Sequence, residues 1–518
     1  MTEPSMPVPA LLPETESYWR ACRDGRLAIN RCQSCGWYIH PPRPVCSRCR
    51  SRDVRSEDLS GRGVVASYTV NYQPWMPNMK VPFIIALVEL AEQKDLRLTT
   101  NLINCPTDSV NIGMPVKVTF RNLNDEVALP LFEPDPQAEV VLALPSSQTA
   151  PVKITDTGYV RAHPLRRVAE TERLERRAII SGVGQSAVGR RLFRGDVDLT
   201  AEAAVAAIAD AGLSGSDIDG IACFPGPGVG GPGFSGPGAS EMADALGLSV
   251  TWHLASGEGP GQMAPVFAAC LAVAAGLCRH ALVFRTVTEG SAQAGMGRQG
   301  INAGSARVSG PFAFLIPFGA MSAGNWIAVH AVRHMHEYGT RREHMGAIAL
   351  ACRRHAAFNP NPIYRDPISM DDYLNARMVS WPLGLFDCDV PCDGSTAVII
   401  SNAETAHDLR KPPVRVNAIG TAMRSRPSWD QWEDLTTGPQ RDAAAQMWSR
   451  TDLKPADVDT ANLYDGFSFL TLVWLEAMGF CKPGEAGAFV ENRRIELGGE
   501  LPINTWGGQL SGGRLHGF

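Results

Sequence analysis

The chain has no uninterrupted apolar run of about 18 residues, so its composition offers no helix of the length that crosses a bilayer. Residues 1–13 lack a basic stretch followed by an apolar one, which argues against a secretory signal. Thirteen cysteines, an odd number scattered over 518 residues, do not form a disulfide framework. A reducing, cytoplasmic location with one metal site accounts for them better. A net charge of −5 argues against nucleic acid or a membrane as a partner of the whole molecule. What remains is an ordinary globular composition in a chain too long for one hydrophobic core, so two or three domains are expected. Fifty glycines and 38 prolines point to tight turns and Gly-rich loops.

Cysteine is concentrated at one place. Cys32-x2-Cys35, ten residues, then Cys46-x2-Cys49 are two knuckles with the spacing that tetrahedral Zn²⁺ requires of four thiolates. Gly36 and Pro41-Pro42 supply the turns. Four thiolates leave no open position for water, so the expected role is structural, in place of a core that about thirty residues cannot build. Between Arg20 and Arg55 stand nine arginines and two acids, Asp24 and Asp53. Such a face can hold phosphate groups, including the nucleotide end of coenzyme A, or can simply be solvated.

β-rich runs follow at 63–72, 83–90, 96–103 and 115–120, separated by turn residues. Several short strands in so few residues suggest a small OB-type barrel. They show no dense interleaving of aromatic and basic residues, so nucleic acid is not expected there. The ribbon, followed by Gly63-Val64-Val65, Val81-Pro82-Phe83 and Ile112-Gly113-Met114-Pro115-Val116, resembles the rubredoxin-like zinc-ribbon and OB-fold proteins that partner thiolase-superfamily enzymes. Residues 136–176 mix Pro, Ser, Thr and Arg without periodicity and read as a linker, with one short strand at 140–144.

The last two-thirds alternate helix and strand, which implies parallel sheet. A strand at 178–183 runs into Gly182-x-Gly184, and an alanine-rich helix over 200–211 stops at Gly212. The phrase Leu213-Ser-Gly-Ser-Asp217-Ile218-Asp219 returns as Leu453-Lys-Pro-Ala-Asp457-Val458-Asp459, each time before a strand, and this suggests two related halves. In that register Phe224 matches Tyr464. Residues 329–339 (VHAVRHMHEYG), 353–360 (RRHAAFNP), Pro391-Cys392-Asp393-Gly394, Tyr464-Asp465-Gly466-Phe467 and 504–517 (NTWGGQLSGGRLHG) together resemble the thiolases of the sterol-carrier-protein-X type. The resemblance implies an α/β thiolase fold, five-layered αβαβα with two similar halves, and a homodimer. It also implies a closing β-hairpin after the Gly-rich loop, whereas the sequence stops at Phe518, which reads as a shortened second half. The expected order is an N-terminal helix and zinc ribbon (1–56), an OB-fold domain (57–135), the linker (136–176), and thiolase-like halves over 177–412 and 413–518.

The thiolase chemistry is missing from this scaffold. The nucleophilic cysteine position falls at Leu254 within WHLASG (252–257), and the His-Asp-Cys-Phe motif reads Tyr464-Asp465-Gly466-Phe467. The C-terminal histidine position falls on Arg514, with His516 two residues on. Acyl transfer through a thiol has lost its nucleophile and acid–base partners. Gly507, Gly508, Ser511, Gly512 and Gly513 can still bring N–H groups to a ligand carbonyl. An enolate pocket of that kind suits aldol cleavage, which needs no acyl-enzyme. The resemblance is nearest to steroid side-chain-cleaving aldolases acting on acyl-CoA thioesters, although these tend to carry a second tyrosine near where Arg514 stands. Tyr464 is the candidate acid or base, with Asp465, Arg514 and His516 as its company; a free phenol, with a pKa of about 10, needs a nearby cation to serve as base. The expected substrate is an acyl-CoA, and the reaction retro-aldol cleavage of a β-hydroxyacyl-CoA. The alternatives are a C-acyltransferase with an atypical nucleophile (Cys223 in reserve, or His253) and a CoA-binding scaffold without turnover. His330 and His334 have helical metal-pair spacing but no zincin glutamate, and Cys388 and Cys392 read as core, so no second metal is expected.

Overall fold

In a computed structural model, residues 6–138, 154–155, 158–159, 172–256, 261–295, 300–301, 306–423 and 428–517 are described. The 140–144 strand expected in the linker lies outside them.

The first module is a three-stranded antiparallel sheet with Ala28–Cys32 between Tyr38–Ile39 and Val54–Asp58. Each knuckle closes the same way: Gly36 N–H donates to Cys32 O and Arg50 N–H to Cys46 O, both at 2.8 Å, and both closing residues are left-handed. Much of the arginine excess is answered inside the protein, Arg20 by Glu16, Arg26 by Asp58, Arg31 by Glu57 and Arg55 by Asp53.

The alternating runs form a five-stranded barrel of Arg62–Asn71, Phe83–Leu90, Arg97–Leu102, Pro115–Asn122 and Ala128–Pro134. It closes where Arg62–Val64 pairs with Pro115–Lys117 and where Leu102 lies parallel to Phe132. Gly63 lets its strand lie close against Phe83–Leu90, since an added Cβ would stand 2.4 Å from Glu89 O. A hairpin from far along the chain, Met378–Ser380 with Leu383–Gly384, then extends the barrel sheet through the pair Ser380–Asn71.

The second sheet has the order Trp252–Ala255, Gly220–Cys223, His280–Thr288, Asp393–Asn402, Ala178–Gln185, Val414–Arg415. The first three strands are parallel, and Asp393–Asn402 runs against both its neighbours. Helix Asp196–Ala211 lies across one face, close enough that a Cβ at Gly182 or Gly184 would meet the carbonyls of Ala207 and Ala203 at 2.3 and 2.2 Å. The Gly-x-Gly motif and the alanines of that helix are therefore one packing device, and Gly212 ends the helix at φ 77°. Helix Ala264–Ala274 covers the opposite face.

The internal echo is visible in space. Asp217 caps its 3-10 turn by accepting from Ser214 N, and Asp457 does the same from Lys454 N, each at 2.8 Å. Beyond the second turn, the described residues make one parallel bridge, Ala461–Ile503, followed by helix Ser468–Ala477. One hydrophobic core runs unbroken from Trp19, Val65 and Trp75 in the N-terminal modules to Ile327, Met345, Leu472 and Ile503. Among the described residues, no single helix is long and apolar enough to cross a membrane.

Candidate active site

Strand His280–Thr288 delivers Arg285 and, one residue past its end, Glu289 to the carboxyl edge of the second sheet, beside the end of Gly220–Cys223. In open α/β sheets this edge is where ligands bind. The Gly-rich segment 504–517 folds over it. Asn504 fastens the start of this segment to the chain just before Tyr464: its Oδ1 accepts from Leu463 N at 2.8 Å, its Nδ2 donates to Leu463 O at 2.9 Å, and its own N–H reaches Ala461 O at 2.9 Å. Those bonds fix the backbone that carries Tyr464.

Asp465 anchors the Gly-rich loop. It is buried and accepts from the N–H groups of Gln509 (2.9 Å) and Leu510 (3.4 Å) and from the Cys352 thiol (3.5 Å). Burial pushes its carboxyl up to about 6, against the pull of those donors. Gly508 is required here, because an added Cβ would sit 1.9 Å from Asp465 Oδ2. Ser511 Oγ accepts from Arg353 Nε at 3.0 Å. The amides of Gly507 and Gly512 donate to Asn504 O (2.9 Å) and Gly507 O (3.3 Å).

A buried charged cluster surrounds Tyr464. Arg514 donates to Glu289 Oε1 at 2.6 Å and to Asp389 Oδ1 at 3.2 Å, which bridges two acids. Arg285, fully buried, lies against the rings of Phe224 and Phe234 and donates to Phe234 O (2.7 Å) and to His516 Nδ1. Burial pulls its guanidinium down to about 10, partly offset by Glu289. His516 is buried and left-handed (φ 53°), and burial followed by the two arginines drives it far below its ordinary range. The imidazole is therefore neutral, and with Nδ1 accepting from Arg285 its proton sits on Nε2, 3.6 Å from Glu289 Oε2. The Tyr464 phenol is pushed above its usual value by burial and then by Asp389, with Arg514 pulling the other way. It holds its proton at neutral pH.

Tyr464 and Gly466 share one volume. A Cβ added at Gly466 would lie 2.6 Å from the Tyr464 hydroxyl and 2.8 Å from two ring carbons. A side chain at 466 and this phenol exclude each other. Burial pushes the Cys223 thiol up to about 11 and the Cys392 thiol up to about 12, which favours the protonated form of both at neutral pH. Leu254 and His253 lie on the edge strand, paired with Ala222 and Ile221. His330 Nδ1 donates to Leu435 O and His334 Nδ1 pairs with Thr340 Oγ1, both inside the core.

Sequence reading named Tyr464, Asp465, Arg514 and His516 as candidates, and the fold brings Tyr464, Arg514 and His516 into one cluster with Asp465 behind it. It did not name Arg285, Glu289 and Asp389, which stand in the same cluster. The arginine was detectable, since a charge inside an apolar strand (HALVFRTVT) is almost never buried without a partner. At the ribbon, the Sγ atoms of Cys32, Cys35, Cys46 and Cys49 all lie within 4.8 Å of one another, with Cys32–Cys49 at 3.5 Å and Cys35–Cys46 at 3.7 Å. Tetrahedral Zn²⁺ with Zn–S bonds of about 2.3 Å needs sulfurs about 3.8 Å apart, so the four residues fit that ion.

Residues 19–55 match the family described as the ChsH2 rubredoxin-like zinc ribbon domain, 56–121 the ChsH2 C-terminal OB-fold domain, and 421–517 the thiolase C-terminal domain-like family. A steroid side-chain-cleaving aldolase of Thermomonospora curvata is 35% identical over 351 residues, 66% of this chain and 87% of that protein. The 17-hydroxy-3-oxo-4-pregnene-20-carboxyl-CoA lyase of Mycobacterium tuberculosis is 35% identical over 360 residues, 67% of this chain and 89% of that protein. The solved Ltp2-ChsH2(DUF35) aldolase superposes with a TM-score of 0.58 at 32% identity, covering 67% of this chain and 88% of that one.

Proposed function

Since this chain belongs to the steroid side-chain-cleaving aldolases of the thiolase superfamily, with the ribbon and OB modules in the same polypeptide, we propose that it cleaves a C–C bond of a β-hydroxyacyl-CoA by a retro-aldol reaction. The observation that carries this reading is the exclusion between Tyr464 and Gly466. Where a thiolase motif seats a thiol, a protonated phenol fills the space. Nothing there can hold an acyl group, but a proton donor is well placed. Tyr464 serves as the acid that protonates the enolate carbon, and N–H groups of the Gly-rich loop hold the thioester oxygen while negative charge develops on it. Asp465 positions that loop, and Arg514 and His516 set the charge around the phenol.

The acyl group we infer is steroid-sized, as in the substrate named for the mycobacterial lyase. The four ribbon cysteines would hold Zn²⁺, which supplies a cross-link in place of a core. Trp252–Ala255 ends its sheet with one side unpaired among the described residues, and this supports a homodimer through the thiolase-like part.

Mass spectrometry of products from β-hydroxyacyl- and β-ketoacyl-CoAs, with and without free CoA, tests the reaction. A shorter acyl-CoA plus a ketone or aldehyde, formed without free CoA and lost in Tyr464→Phe, is the expected result. Two thioesters formed only when CoA is supplied would mean thiolysis and would overturn the proposal.

A further inference from the structure

We propose that Glu289 is the general base of this reaction, taking the β-hydroxyl proton through Oε2. The inference rests on the retro-aldol reading above.

The two oxygens of Glu289 are used differently. Oε1 accepts from Arg514 at 2.6 Å, while Oε2 is buried and meets no hydrogen-bond donor. His516 Nε2 stands 3.6 Å from Oε2, beyond hydrogen-bond reach. A buried carboxylate oxygen without a donor is rare in native proteins and marks a place where something else donates. A substrate hydroxyl is such a donor.

The other bases nearby are occupied. His516 spends its Nδ1 lone pair on Arg285 and carries its proton on Nε2. Asp465 takes two loop amides and a thiol. Asp393 accepts from Leu192 N and from both N and Oγ of Ser291. Asp389 accepts from the same arginine as Glu289 and has a further partner. Glu289 is also well sited, directly after strand His280–Thr288 at the sheet's carboxyl edge, and it acts electrostatically on Tyr464. Arg514 is then a positioning residue: it holds Oε1 and thereby aims Oε2.

The step balances. Oε2 removes the β-hydroxyl proton, and the O–H electron pair becomes the second bond of a C=O group. The Cα–Cβ bond breaks and its pair becomes the thioester enolate. Tyr464 gives its proton to Cα, yielding the shortened acyl-CoA and a ketone or aldehyde. One proton then passes from the Glu289 carboxyl to the Tyr464 phenolate, directly or through water, and the site is reset.

The test compares the full-length variants Glu289→Gln, Glu289→Asp and Asp389→Asn on a β-hydroxyacyl-CoA, with binding measured on the matching β-deoxyacyl-CoA. Glu289→Gln is expected to lower kcat by about 10²–10⁴-fold with Kd changed by less than about threefold. Glu289→Asp restores at least about tenfold of that loss, and Asp389→Asn, which unpairs the same arginine but leaves Oε2 alone, loses less than about tenfold. The inference is overturned if Glu289→Gln folds and keeps kcat within about fivefold of wild type. It is equally overturned if the aspartate variant is as slow as the glutamine one and Asp389→Asn matches both, because pairing with Arg514 would then be the whole effect. A wild-type protein that cleaves no β-hydroxyacyl-CoA sinks the retro-aldol reading itself, and this assignment with it.

Discussion

Gly466 has no side chain because Tyr464 needs the room. Gly466→Ala places a carbon 2.6 Å from the phenol oxygen, so the ring must move. The expected cost is about 1–3 kcal/mol of stability together with a large loss of turnover, read from thermal melts and steady-state kinetics of the one variant. Asp465 makes a different prediction. Its folded-state value of about 6 lies above the ordinary carboxylate range, so its contribution favours folding while it is protonated and fades as pH rises. From about pH 4 to about pH 6 it withdraws roughly 2–3 kcal/mol from the wild type. Urea midpoints over that range should fall more steeply for wild type than for Asp465→Asn; parallel curves would mean that the carboxyl titrates normally. These residues were legible because they sit in one short motif. Glu289 and Asp389 were not, since their meaning comes from Arg514, 225 and 125 residues away.

Alternation and turn residues placed four barrel strands within a residue or two of where they form, because packing on one barrel face reinforces the local pattern. Ala128–Pro134 escaped notice because Pro130 and Pro134 interrupt an otherwise apolar run, and prolines argue against a strand unless its pairing spares their missing N–H. The hairpin 378–384 could not be read at all. Its strands are two or three residues long, and they form because the barrel edge offers Asn71. That asparagine is the node of the junction: its Oδ1 accepts from Trp75 Nε1 (2.8 Å) and Asn325 Nδ2 (2.9 Å). Asn71→Ala leaves two buried donors short of an acceptor, each worth about 1–3 kcal/mol. Chemical denaturation should show a drop of that order, while Asn101→Ala, at a half-buried site away from the node, is expected to cost less.

The ribbon, the barrel and the thiolase-like part were legible as separate modules; their merging was not. Ser67 Oγ donates to Val329 O at 2.6 Å, Thr69 Oγ1 donates to Trp381 O at 2.7 Å, and one core passes through the junction. Expressed apart, residues 1–138 and 172–518 should each aggregate or melt at low temperature. Expressed together they should co-purify and recover activity, whereas two independently stable fragments would show that the shared core is dispensable. The same junction sets a timetable for synthesis. Thr69 meets Ser380 311 residues later in the chain, so at ~5–20 residues per second the finished barrel waits roughly 15–60 s on the ribosome for the strand that covers its edge. During that interval an open, apolar-backed strand edge stands exposed, and a chaperone or a neighbouring nascent barrel can reach it before its own hairpin does.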